Sequence, residues 1–392
     1  MPTESAFFLA GLLFVAAGLG YVFARFRDDE YERDQAQYLR GVRFLLQEQP
    51  DRAVEAFTRA GDLDEETLET HFALGQLFRK RGEVERAIRV HRDLMERRNL
   101  SPAQRDQARF ALAGDYLSAG LFDRAEALLG ELQSSPRHRA EALRQLIRLS
   151  ELTREWDRAI ELRGELEKTD RSAAQPGIIA HYCCELAEQA LRERNTARAA
   201  ELLQAAERTG QEIARVWLVR GSLAEGSGDP RAAIRCYRRV ADREPALLVE
   251  VLPRLWKACN ASGDRTEFAN LIRQFLEQDA RAGRAVALAS ILDPSIDDAQ
   301  VMQCLWNFIS EDRTLTSLID ADRLAGAPPA ERRQALERVR AALRAMAVAG
   351  RSYVCMECGY RSLSLQWQCP GCAAWDTVRP QVRLVFDSGE RR

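Results

Sequence analysis

Lysine is nearly absent from this chain of 392 residues, occurring only at Lys80, Lys168 and Lys257. Arginine carries the remaining positive charge, which reads as compositional bias. The formal net charge is −2, so no surplus of positive charge argues for a nucleic-acid partner. The sequence also lacks a phosphate-binding loop, a Gly-x-Ser-x-Gly elbow and a His-Glu-x-x-His zinc motif. Histidine is scarce, with four in all. His71 and His91 fall in helical text, and His138 lies in a loop-like stretch near Pro136. His181 stands beside Cys183 and Cys184, which invites a nucleophile reading. Residues so close in sequence point to different sides of a helix, so packing is the better account. With no cluster of acid, base and nucleophile, the chain does not read as an enzyme. Its nine cysteines do not form a disulfide scaffold. Five are scattered through helical text, where Cys236, Cys259 and Cys304 read as packing residues, and four form two pairs at the far end. That usage fits a reducing compartment.

Charge is missing altogether from Ser5 to Ala24, a run of 20 residues. At about 1.5 Å per residue it spans roughly 30 Å, the thickness of a bilayer core. A cleaved signal peptide would have a basic start and a shorter apolar stretch. Here Glu4 precedes the run, with no Lys or Arg before it, so an uncleaved anchor is expected over residues 1–25. Arg25, Arg27 and Arg33 follow the run, which keeps the body on the cytoplasmic side. A charged linker, residues 26–33, leads onward.

The stretch from Ala214 to Leu247 shows how the middle is built. Trp217, Gly221, Gly228, Ala233, Tyr237 and Pro245 recur at the places that mark the tetratricopeptide repeat, a two-helix unit of 34 residues that it resembles. Gly221 and Ala233 would be small because the helices cross there. Trp217 and Tyr237 would fill the space between units, Gly228 would allow the turn, and Pro245 would end the second helix. The interval of 34 recurs in Gly41 and Gly75, Ala53 and Ala87, Ala125 and Ala159, and Ala199 and Ala233. It marks units at Asp34–Thr67, Leu68–Ser101, Asp106–Arg139, Ala140–Ala173, Ala180–Ile213 and Ala214–Leu247. A weaker seventh unit has Gly263 at its turn and Phe268 where alanine is usual. One hairpin cannot bury its own apolar face, so the units must stack. The expected fold is all-α: a superhelical solenoid over residues 34–280, then degenerate or capping helices over 281–349. Ala299–Ile309 and Ala330–Ala347 read as amphipathic helices. The stack should offer a concave face built from first helices, suited to a peptide or partner protein.

Residues 350–392 carry different chemistry. Tyr353-Val-Cys355-Met-Glu-Cys358-Gly359-Tyr360 is followed, after a gap, by Cys369-Pro370-Gly371-Cys372-Ala-Ala-Trp375. Two facing Cys-x-x-Cys knuckles supply four thiolates to one tetrahedral ion, with backbone N–H groups curled toward the sulfurs. Cys355, Cys358, Cys369 and Cys372 are thus the expected ligands, and soft sulfur accepts Zn or Fe. So short a segment depends on the metal for much of its folding energy. The knuckles resemble those of rubredoxin in a shortened form closer to a zinc ribbon. They depart from it at Ala373, where glycine usually follows the last cysteine. A structural metal is favoured over a redox one; the alternative is an electron-transfer protein. Val382 to Phe386 alternate and suggest an extended segment.

An anchor, a repeat array and a four-cysteine end, in that order, resemble the lipopolysaccharide assembly protein B family of Gram-negative bacteria. The residues that carry the likeness include Tyr38-Leu-Arg-Gly41-Val-Arg-Phe44, Gly75-Gln-Leu-Phe-Arg-Lys-Arg-Gly82, Tyr116-Leu-Ser-Ala-Gly-Leu-Phe-Asp-Arg-Ala-Glu126 and Trp367-Gln-Cys369-Pro-Gly-Cys372-Ala-Ala-Trp375. The resemblance implies a single-pass inner-membrane adaptor facing the cytoplasm. Its partners would be the deacetylase LpxC, the membrane protease FtsH and other lipopolysaccharide-assembly proteins. It would limit lipid A synthesis by bringing the deacetylase to the protease. A general membrane scaffold with other clients is a further alternative.

Overall fold

The computed structural model describes residues 65–278, 282–311, 328–347 and 353–380, apart from 98, 99 and 294, together with 40, 41, 43, 44, 52 and 326. The apolar run at Ser5–Ala24, most of the first repeat and the segment at Val382–Phe386 lie outside the described residues. Among the described residues no helix is long and apolar enough to cross a membrane. The chain divides into two compact units, residues 1–174 and 175–392.

Among the described residues the first unit contains three helical hairpins: α1 (Glu65–Lys80) with α2 (Val84–Glu96), α3 (Pro102–Ser118) with α4 (Phe122–Leu132), and α5 (Arg139–Thr153) with α6 (Trp156–Thr169). Ser101-Pro102 opens α3. Ser101 Oγ accepts from the Gln104 amide, the Gln104 side chain accepts from the Ser101 amide, and Pro102 takes the first-turn place whose N–H is not needed. Leu94, Leu129, Leu132 and Leu143 form the dry core. Beside it lies a polar knot. Asp115, fully buried on α3, accepts from Arg79 of α1 at 2.9 Å and is paired with His91 of α2. Two glycines make room for it. A Cβ on Gly75 would come within 2.3 Å of His91 Nε2, and one on Gly114 within 2.6 Å of Arg79 Nη1. A charge so buried is tolerable only because both carboxylate oxygens are engaged.

The described residues of the second unit form four hairpins: α7 (Pro176–Arg192) with α8 (Thr196–Arg208), α9 (Ala214–Gly226) with α10 (Pro230–Arg243), α11 (Leu248–Ser262) with α12 (Arg265–Gln278), and α13 (Ala282–Leu292) with α14 (Ala299–Glu311). A last helix, α15 (Pro329–Ala347), packs on α13 and α14. Paired helices therefore continue past Ala280, where the sequence period fades. The packing there is carried by plain apolar residues such as Ile291, Leu305 and Ile309 rather than by repeat-specific ones. Asp229 caps α10 by accepting from the Ala232 amide at 2.9 Å, with Pro230 following. Gly221 is small for a reason inside its own hairpin: a Cβ there would lie 2.3 Å from the ring of Tyr237. Tyr237 is fully buried; it fills the crossing and shares a core cluster with Leu248, Val251 and Leu252 of the next hairpin. Trp217 stays half-buried, with the Arg239 guanidinium 4.2 Å from its ring centre. Phe268 fits in place of alanine because it meets Trp256 edge-on at 4.9 Å.

In the first six of these hairpins the chain turns between partners through one left-handed residue. Gly228 takes this place at φ 73°, as the sequence suggests, but Arg154 and Arg194 hold the same conformation at 61° and 60°. The turn geometry is thus imposed by the packed helices and not by glycine alone.

The four-cysteine region is a three-stranded antiparallel sheet ordered β2-β1-β3, from β1 (Tyr353–Cys355), β2 (Arg361–Ser362) and β3 (Val378–Pro380). It seats against α7, α9 and α11, the first helices of three successive hairpins. Trp375 contacts His181 and Tyr182 of α7, and Trp367 contacts His181. The Arg215 guanidinium of α9 lies 5.4 Å from the ring centre of Trp367. The Tyr353 hydroxyl donates to Glu250 of α11, and Arg379 pairs with Glu244 at 3.3 Å.

Candidate metal centre

Two tight turns bring the thiols together. In the first, the Gly359 amide donates to the Cys355 carbonyl at 3.0 Å, with Gly359 at φ 74°. In the second, the Ala373 amide donates to the Cys369 carbonyl at 2.8 Å. Ala373 stands at φ 58°, so the knuckle adopts the left-handed turn even without glycine and bears the cost of a Cβ there. Gly371 is held small by its surroundings, since a Cβ would lie 3.3 Å from Cys358 Sγ.

The four sulfurs lie within 4.8 Å of one another. Cys355 Sγ is 3.7 Å from Cys372 Sγ, and Cys358 Sγ is 3.6 Å from Cys369 Sγ. Zinc–sulfur bonds of about 2.3 Å in a tetrahedron place sulfurs about 3.8 Å apart, so these separations suit one ion. The Thr377 hydroxyl lies 3.3 Å from Cys355 Sγ. Its hydrogen bond, helped by the Cys358 and Glu357 amides, brings the Cys355 thiol down to about 6. The Ala374 amide pulls Cys372 down as well, but burial and the three neighbouring sulfurs outweigh it and push that thiol up to about 12. Four thiols this close cannot all ionise alone, and a divalent cation at their centre removes that conflict. The donor set fits one zinc or iron ion, with Cys355 and Cys369 buried and Cys358 and Cys372 facing solvent.

The ground on which this module rests is charged and buried. Arg215 is 1% exposed, donating to Glu185 at 2.7 Å and to Glu188 at 3.0 Å. Burial works against its charge, and Glu188 and Glu185 outweigh it, so its pKa rises. His181 lies between Trp367 and Trp375, and neither ring nitrogen has a hydrogen-bond partner. Burial, then the positive charges of Arg215 and Arg379, holds its pKa down at about 3. It is a neutral aromatic surface, as the packing reading has it, but its partners come from residues far along the chain. The cysteines of the helices match the packing reading too. Burial pushes the thiols of Cys184, Cys259 and Cys304 up, Cys304 to about 11, which makes them poor nucleophiles. His71 and His91 are buried, and His138 stacks on Phe110 at 5.8 Å. Sequence reasoning singled out neither Arg215 nor Trp367 as a pair. The available signal was position: His181 and Arg215 each come second in a repeat, on the face that first helices share.

Comparison with known proteins agrees with both parts. The rubredoxin metal binding domain family matches residues 353–380, and the tetratricopeptide repeat family matches residues 70–103. The chain is 32% identical over 377 residues to the lipopolysaccharide assembly protein B of Escherichia coli strain K12, covering 94% of this chain and 96% of that one. With the protein of the same name from Haemophilus influenzae it shares 27% identity over 404 residues, again covering 94% and 96%. Among solved structures it is similar to Pseudomonas aeruginosa PilF, at 19% identity and a TM-score of 0.27, over 55% of this chain and 94% of that one. A repeat protein of Cytophaga hutchinsonii gives 11% identity and a TM-score of 0.37, over 63% and 98%.

Proposed function

This chain belongs to the lipopolysaccharide assembly protein B family, and from that membership we propose that it is an inner-membrane adaptor that regulates lipopolysaccharide synthesis. The observation that carries the reading is the match to a named relative over nearly the whole of both chains. The apolar run Ser5–Ala24 anchors the chain, and the repeat array faces the cytoplasm. The array holds an LpxC-type deacetylase and presents it to an FtsH-type protease in the same membrane. No bond is broken by this chain; confinement to the bilayer plane raises the effective concentration of client beside protease. Cys355, Cys358, Cys369 and Cys372 ligate one ion. The ion stiffens the knuckles so that Trp367 and Trp375 stay aimed at His181, and its role is structural.

Depletion of the chain from cells tests this. The deacetylase should accumulate, and its half-life should lengthen. Unchanged deacetylase levels would reject the adaptor role while leaving family membership intact.

A further inference from the structure

First helices present the same repeat face in both units, but its surroundings differ. In the second unit the face is covered at His181 and Arg215 by the metal module's tryptophans. In the first unit the corresponding places line a cavity of about 600 Å³. Counted by the 34-residue period, Gln107 is second in its repeat, Phe110 fifth, and Gln76 and Arg148 ninth in theirs.

The lining of this cavity includes Arg79, Arg137 and Arg148 and no Asp or Glu. Arg79 is committed to Asp115. Arg137 and Arg148 are exposed, and neither has an ion pair or hydrogen bond among the described residues. The side-chain amides of Gln76 and Gln107 are also uncommitted among the described residues. Leu152 lines the same cavity while 61% exposed, and Phe110 adds a half-buried ring. A matching ligand brings negative charge for two guanidiniums, main-chain groups for two amides and an apolar side chain for the Phe110–Leu152 ground. A polynucleotide supplies the charge but not the aliphatic group, and a bilayer surface does not enter a concave site.

We propose that the groove formed by α1, α3 and α5 takes an extended acidic segment of a partner protein, with its carboxylates on Arg137 and Arg148 and an apolar side chain against Phe110 and Leu152. The proposal rests on the adaptor reading, for which it names the chemistry of the client segment.

Fluorescence polarisation of the full chain in nanodiscs tests it, with a labelled synthetic peptide in which glutamates flank a leucine and a second peptide with glutamines in their place. The glutamate peptide should bind about tenfold more tightly than the glutamine one. The Arg137→Ala/Arg148→Ala chain should lose about that tenfold, and Arg137→Lys/Arg148→Lys should retain most of the affinity. Helical circular dichroism confirms that these exposed substitutions leave the fold intact. Equal binding of the two peptides, or unchanged affinity in the alanine chain, would overturn the proposal. So would tighter binding of an RNA oligonucleotide or of phosphatidylglycerol vesicles that is lost in the same variant. Retention of the deacetylase from membrane extracts is read separately. If the unaltered chain retains none, the adaptor reading fails. If it retains the deacetylase and the alanine chain retains as much, only the groove assignment fails.

Discussion

His181 gives the contact between metal module and array a pH dependence that can be calculated. The ring is buried between Trp367 and Trp375, and its pKa falls from 6.5 to about 3. An unfolded chain would protonate it near 6.5, whereas the folded chain does not. Below that point the unfolded state binds the extra proton, so stability falls as the solution is acidified and is recovered as pH rises. From about pH 7.5 to about pH 5, one such group removes about 2 kcal/mol. Carboxylates elsewhere add their own slopes, so the informative quantity is a difference. Urea unfolding of the metal-loaded chain, followed by tryptophan emission, should be compared with His181→Phe at both pH values. The substitution keeps an aromatic surface under the tryptophans and removes the titrating nitrogens. The unaltered chain should lose about 2 kcal/mol more than the variant across this interval. Parallel profiles for the two proteins would show that acid reaches His181 without disturbing the fold, and would refute the argument.

Three further outcomes follow from the packing. Gly221→Ala forces a methyl group into the buried Tyr237 ring and should cost about 1–3 kcal/mol in urea unfolding, whereas Gly226→Ala, where no atom lies within 4 Å of the added carbon, should cost less. Asp115→Ala leaves Arg79 and His91 without their shared carboxylate and should destabilise the first unit by about 3–5 kcal/mol, read as amide exchange in α1 and α3. Metal removal by a strong chelator, or Cys355→Ser, should free Trp367 and Trp375 from the array. That release would appear as a red shift in tryptophan emission and loss of amide protection in β1 and β3, while the hairpins stay helical; unchanged emission and protection would count against a metal-dependent seat.

The helices and the thiol cluster were legible for physical reasons. A 34-residue period reflects a crossing that tolerates only small residues, as at Gly221 and Ala233, and a turn that suits glycine, as at Gly228. The Cys-x-x-Cys spacing alone fixes how two sulfurs meet one ion. Legibility fails where the constraint lies between distant segments. The continuation into α13 and α14 uses generic apolar residues with no period to read. The seat of the metal module depends on Arg215 meeting Trp367, far away in sequence, and neither residue marks the other. Tyr237 reads from the sequence only as a filler between units, because an aromatic suits either place. The position of Gly221 beneath its ring shows that it fills the crossing within its own hairpin as well.

The seat of the knuckles on α7, α9 and α11 also bears on how the chain is made. Helical hairpins close through local contacts and can form as they leave the ribosome, one after another. The Tyr353–Glu250 contact spans 103 positions and cannot form until the strands of the metal module have been synthesised. During that interval His181 and Arg215 stand uncovered.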